Sequence, residues 1–124
     1  MDVLKISAKS AGDHVVVTLD GALNTASFDD LDKSFATLFK KGFHRLIINL
    51  EKLTYVSSAG IGVFIGYQPM AQESGGNIVL MKPIESVREV FDLLGLTDIC
   101  AVVNTYDEAK AEMAKAGGSG GVVE

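Results

Sequence analysis

Apolar and polar residues alternate from Leu4 to Lys9. Leu4, Ile6 and Ala8 fall on one side and Lys5, Ser7 and Lys9 on the other, the period-2 pattern of a half-buried strand. Ser10-Ala11-Gly12-Asp13 supplies turn chemistry. Val15–Leu19, closed by Asp20-Gly21, reads as a second strand, so the two predict a hairpin. Leu23-Asn24-Thr25-Ala26 reads as a loop. From about Ser27 to Lys41 the period changes. Phe28, Leu31, Phe35, Leu38 and Phe39 recur at helical spacing and form one apolar stripe, with Ser27 and Asp30 as the start signal and Gly42 as the stop. Leu46–Leu50 is apolar except at Asn49, as in a strand covered on both faces.

Glu51–Val56 reads as a short connection. A helix is predicted from about Ala59 to Glu73, with Pro69 bending or shortening it. Ser74-Gly75-Gly76 ends it, and Ile78–Met81 is the next strand. Ser86 and Glu89 have the spacing of a capping box ahead of Val87, Val90, Phe91 and Leu94, with Gly95 as the stop. Ile99–Val103 is a short strand. Thr105 and Glu108 form a second capping box, opening a helix to about Ala116. The order β-β-α-β-α-β-α-β-α predicts one α/β domain with a mixed, mostly parallel sheet, packed helices and an antiparallel edge. The expected domain is 1–116, followed by a flexible Gly-rich tail, 117–124.

Composition narrows the function. The 124 residues fit one domain. Hydrophobic residues at 48% and charged residues at 22% are those of a globular chain. A net charge of −5 argues against nucleic acid as a partner. The longest apolar stretch, Ala59 to Tyr67, is interrupted by glycines and falls short of the roughly 20 residues of a spanning helix. No signal peptide pattern opens the chain, and a cytoplasmic protein with no membrane contact is expected. The single cysteine, Cys100, lies in an apolar strand and reads as a small buried hydrophobe. His14 and His44 read as surface histidines, and no metal or cofactor is expected.

Enzyme signatures are missing. Gly60, Gly62 and Gly66 spell G-x-G-x-x-x-G, not the dinucleotide fingerprint. No Walker lysine and no G-x-S-x-G occur. The unusual segment is Leu53-Thr-Tyr-Val-Ser-Ser-Ala-Gly-Ile-Gly62, where two hydroxyls sit at the handover from strand to helix. Ser57 or Ser58 at that place is a natural N-cap. A serine there also sits beside free N–H groups and the positive end of the helix dipole. A phosphate on it would change the surface without melting the fold.

Asn49–Gly66 resembles the signature of the STAS domain family, the bacterial anti-sigma factor antagonists. Leu19–Asn24, Gly75–Leu80 and Val87–Leu96 resemble further segments of that family. The resemblance spans roughly residues 3–116 and implies an anti-sigma factor antagonist. Such a protein binds a serine-kinase anti-sigma factor, releases a sigma factor, is switched off by phosphorylation and is restored by a PP2C-type phosphatase. Carried over by position, the phosphoacceptor is Ser58, with Ser57 as second candidate. Asn24 and Thr25 belong to a contact loop, and Ser57, Ser58, Ala59, Gly60, Ile61 and Gly62 to the contact helix. Ser57 and Asn24 replace acidic residues of the family pattern, which leaves open an unswitched STAS scaffold in a larger signalling assembly. An enzyme using Ser57–Gly62 as an anion cradle lacks a base and metal ligands.

Overall fold

The computed structural model describes residues 3–122, with side chains described as far as Lys115. The strands are β1 (Leu4–Ser10), β2 (Val15–Leu23), β3 (Arg45–Val56), β4 (Asn77–Met81) and β5 (Val102–Val103). The helices are α1 (Phe28–Lys40), α2 (Ser58–Glu73), α3 (Glu85–Leu93) and α4 (Tyr106–Val122), with a short 3-10 turn at Leu96–Asp98. The strands lie in the order β1-β2-β3-β4-β5. Only the β1–β2 hairpin is antiparallel; the other pairs are parallel.

Helices cover both faces. Leu31 and Phe35 of α1, Ile61 and Phe64 of α2, and Val87 and Phe91 of α3 are buried with Val17, Leu19, Leu46, Ile48 and Leu50 of the sheet. Edge-to-face rings join these helices: Phe35 to Phe64 at 5.9 Å, Phe64 to Phe91 at 6.5 Å and Phe35 to Tyr67 at 5.4 Å between centroids. On the other face α4 sets Ala109 and Met113 against Ile47, Val79 and Met81. The phenylalanine stripe of α1 is therefore core, except that Phe28 lies at its exposed rim.

Several elements depart from the sequence expectation. The stretch Glu51–Val56 is strand, not connection, and β2 runs past Asp20-Gly21 to Leu23. The two continue side by side, Asp20 opposite Lys52, Gly21 opposite Leu53, Ala22 opposite Tyr55 and Leu23 opposite Val56, through two register shifts. Each shift puts an extra residue into β3. The buried positions Leu50, Leu53 and Val56 consequently recur every third residue, which hides the strand from a period-2 reading.

The Ser86–Glu89 capping box does not form. Helix α3 begins at Glu85 behind Ile84, without a side-chain cap. The Thr105–Glu108 box does form: the Glu108 N–H donates to Thr105 Oγ1 at 3.1 Å and the Thr105 N–H to Glu108 Oε1 at 3.2 Å. Ser27 precedes α1 but does not cap it; its hydroxyl donates to the Ala22 carbonyl at 2.7 Å. The strand expected over Ile99–Val103 shrinks to Val102–Val103 because the 3-10 turn takes up the approach. Helix α4 extends to Val122, past the end expected near Ala116.

Pro69 sits inside an unbroken α2. It lies on the exposed side, as does Ile65, the residue whose carbonyl loses its N–H partner, so the missing bond falls on the solvent side of the helix and not in the core. Next to it Gln68 is 2% exposed. Its Oε1 accepts from the Ile78 N–H at 2.8 Å, and its Nε2 donates to Asn77 Oδ1, the Ile78 carbonyl and the Ile99 carbonyl. Gln68 thus pins α2 to the start of β4 and to the 3-10 turn.

His14 is buried, not a surface histidine. Nδ1 lies 2.8 Å from Asp13 Oδ1 and Nε2 lies 2.7 Å from the Tyr106 hydroxyl. Arg45 donates to the Asp13 carbonyl and carboxylate, and to the Met113 carbonyl. His44, half-buried, stands edge-on to Phe39. Burial pushes the Cys100 thiol up to about 12, consistent with a packing role.

Candidate functional site: the β2–α1 loop and the start of α2

Parallel strands β2 and β3 end together, Leu23 opposite Val56. The loop after β2 and the helix after β3 therefore emerge at one end of the sheet, where α/β folds place their sites. The Ser57 N–H donates to the Leu23 carbonyl at 2.9 Å. This bond extends the strand pairing by one residue and fixes the start of α2 against the loop.

The loop is self-tied. Asn24 Oδ1 accepts from the Ala26 N–H at 2.9 Å and from the Ser27 N–H at 3.1 Å, and the Asn24 N–H donates to Ser27 Oγ at 2.9 Å. The turn needs an oxygen at this position, not a charge. Thr25 projects into solvent at its tip.

At the head of α2, Ser57 is the N-cap, with extended backbone and Oγ accepting from the Gly60 N–H at 3.3 Å. Its hydroxyl is committed and half-buried. Ser58 is the first helical residue and is exposed. Its hydroxyl makes no hydrogen bond among the described residues. The N–H groups of Ser58 and Ala59 likewise meet no acceptor there, as expected for a first turn. No carboxylate falls in this first turn, so an anion on Ser58 meets the helix dipole without an opposing charge from the helix itself.

The sequence-derived residues divide by facing. Asn24, Thr25, Ser57, Ser58, Ala59 and Gly62 reach the surface at least in part, whereas Gly60 and Ile61 are buried. A Cβ on Gly60 would come 2.5 Å from Leu23 Cγ, so only glycine lets helix and loop approach this closely. Ile61 belongs to the core. At Gly62 a Cβ would meet nothing within 4 Å.

The outer face of α2 continues the site. Gly62, Ile65, Gly66, Pro69 and Met70 are exposed, and no charge occurs from Ser58 to Gln72. Exposed helix faces in soluble proteins are normally charged. Sequence reading missed Ile65, Gly66 and Met70 as surface residues. The signal available was the run of uncharged residues, which reads equally as a buried helix until the packing is seen.

The arrangement is that of an interaction domain: a stable α/β scaffold presenting a neutral helix face headed by one free hydroxyl. The STAS domain family model matches residues 5–109, and the chain belongs to that family. A Bordetella bronchiseptica protein, BtrV, named as an anti-sigma factor antagonist, is 30% identical over 108 residues, covering 87% of this chain and 93% of the relative. The crystal structure of a Thermotoga maritima protein described in the same terms superposes with a TM-score of 0.77 at 27% identity, covering 88% of this chain and 94% of that one. The anti-sigma factor antagonist SpoIIAA, in its unphosphorylated form, shares the fold with a TM-score of 0.74 at 23% identity, covering 97% of this chain and all of that one. Among the described residues no helix is long and apolar enough to cross a membrane.

Proposed function

We propose that this protein is an anti-sigma factor antagonist acting in the cytoplasm. It binds a serine-kinase anti-sigma factor through the β2–α1 loop and the outer face of α2, so that a sigma factor is released. Phosphorylation of Ser58 ends the interaction and a PP2C-type phosphatase restores it. The chain acts by binding, with no catalysis of its own.

The observation that carries this reading is the contrast between adjacent serines. Ser57 Oγ is held as a cap while Ser58 Oγ is exposed and unbonded. The switch therefore falls on Ser58, and Ser57 is the poorer acceptor. A phosphate there adds about −1.5 to −2 charges to a face that is neutral from Ser58 to Gln72. The docking surface changes while the core below it does not.

A second reading is an unswitched scaffold in a larger assembly. It is favoured by the neutral side chains at Asn24 and Ser57, which retain the turn and cap oxygens without a carboxylate. Two experiments separate the readings. Wild-type chain, Ser58→Ala and Ser58→Asp are used to capture partners from the native cytosol. The captured kinase is then incubated with wild-type chain and ATP, and the intact mass is read. The switch requires capture by wild type and Ser58→Ala, loss with Ser58→Asp, and one added phosphate absent from Ser58→Ala. Equal capture by all three with no mass change leaves the scaffold.

A further inference from the structure

On the face away from α1, α2 and α3, helix α4 packs on β3, β4 and β5, with Val16 of β2 half-buried at the edge of that cluster and Ser7 and Lys9 of β1 left exposed. A trough of about 710 Å³ runs between these strand residues and the helix. Its floor is Ser7 and Lys9 of β1 with Val16 and Thr18 of β2, and its wall is Met81, Lys82 and Tyr106. The strand register lines these residues up: Ser7 pairs with Thr18, Thr18 with Asn49, and Asn49 with Met81.

Three features distinguish this trough from ordinary solvated sheet surface. The first is charge. The whole chain carries −5, yet the lining side chains include two ammonium groups, Lys9 and Lys82, and no carboxylate. Neither lysine has an ion-pair partner among the described residues.

The second is backbone conformation. Lys82 is the one non-glycine residue with positive φ, 58°, among those described, a conformation that costs roughly 1–2 kcal/mol. Its N–H donates to the Val103 carbonyl at 2.9 Å. In a regular strand Met81 and Lys82 would point to opposite faces. The left-handed turn brings both to the trough.

The third is the fixed phenol. Tyr106 OH sits 2.7 Å from His14 Nε2, His14 is backed by Asp13, and Lys110 stands 4.8 Å from the Tyr106 ring centroid. The ring is thereby held as a rigid wall.

We propose that this trough binds a small organic anion, a carboxylate or phosphate on an apolar, ring-sized body. Lys9 and Lys82 hold the charge, the Ser7 and Thr18 hydroxyls donate to its oxygens, and Val16, Met81 and the Tyr106 ring pack the body. The volume lies within the range of small-molecule sites. The site is separate from the Ser58 face and does not depend on the function proposed for it.

The test is an NMR titration of the isotope-labelled full chain with 1-naphthoate, with 1-naphthyl phosphate and with inorganic phosphate. Saturable shifts at the amides of Lys9, Thr18 and Lys82 are expected with at least one naphthyl anion, and the better of the two assigns carboxylate or phosphate. Lys9→Gln combined with Lys82→Gln weakens binding by about tenfold or more. Lys82→Gly, which keeps the left-handed turn and removes only the side chain, weakens it too. The proposal is overturned if neither naphthyl anion gives saturable shifts at these amides. It is equally overturned if the lysine variants bind as wild type, or if inorganic phosphate binds as tightly as the naphthyl anions.

Discussion

Leu23 and Ser57, the last residue of β2 and the cap of α2, are joined by a backbone hydrogen bond of 2.9 Å, and Leu23 packs where a side chain on Gly60 would stand. Loop and helix are consequently tied together by both a backbone bond and close packing. A partner meeting both sees a preformed surface, which reduces the ordering cost of binding.

Gly60 and Gly62, two residues apart, should respond oppositely to alanine. Gly60→Ala drives a methyl into Leu23 and should destabilise by about 1–3 kcal/mol, with partner binding lost as the loop is displaced. Gly62→Ala meets open space and should stabilise the helix by about 0.5–1 kcal/mol while weakening docking on the α2 face. Thermal melts and partner affinity measured on both variants check this; a Gly62→Ala that binds normally would remove Gly62 from the contact surface.

Ser58→Asp should fold as well as the wild type. A carboxylate in the first turn of α2 interacts favourably with the dipole, by about 0.3–1 kcal/mol at an exposed site. Denaturant midpoints should therefore stay equal or rise, so any loss of binding by this variant reflects the docking face. A marked fall in midpoint would contradict the exposed position of that side chain.

Gln68→Leu keeps the size of the side chain but strips the Ile78 N–H of its acceptor and leaves three acceptors without their shared donor. An unsatisfied buried group costs about 1–3 kcal/mol. The expected result is a stability loss of that order, with faster hydrogen exchange at Ile78 and around the 3-10 turn.

The Asp13 carboxyl lies below its ordinary range, chiefly through its hydrogen bond with His14 and also through the charge of Arg45. A depressed carboxyl binds its proton less well in the folded state. Its stabilisation is therefore complete above about pH 4 and fades as pH falls through the lowered value. Because Asp13 is largely exposed, solvent screening keeps the effect small. Asp13→Asn should flatten the acid limb of stability against pH, and an unchanged limb would show that this carboxyl is not linked to folding.

Cys100 should resist alkylation in the native state. The thiol is 1% exposed and its titration is pushed to about 12 by burial, so almost no thiolate exists at neutral pH. Iodoacetamide should label it only at the rate of unfolding. Fast native labelling would mean that the region around β5 opens locally.

The element order, the apolar stripe of α1, the Thr105–Glu108 box and the pair of hydroxyls ahead of α2 were all legible in the sequence. Each depends on neighbours within a turn or two, whose chemistry the chain states directly. Other features depend on partners distant in sequence. The upper half of β3 exists because β2 runs beside it through two register shifts, which turn its period from two to three. The burial of His14 depends on Tyr106, and the Ser86 signal was outvoted by a start at Glu85. The uncharged α2 looks like a core helix until its outer side is found uncovered. That Ser57 Oγ is engaged as the cap while Ser58 Oγ is not, the contrast on which the proposed switch rests, is set by the bond from the Gly60 N–H. Local periodicity specifies which face of an element is apolar; only the packed chain settles what lies against it.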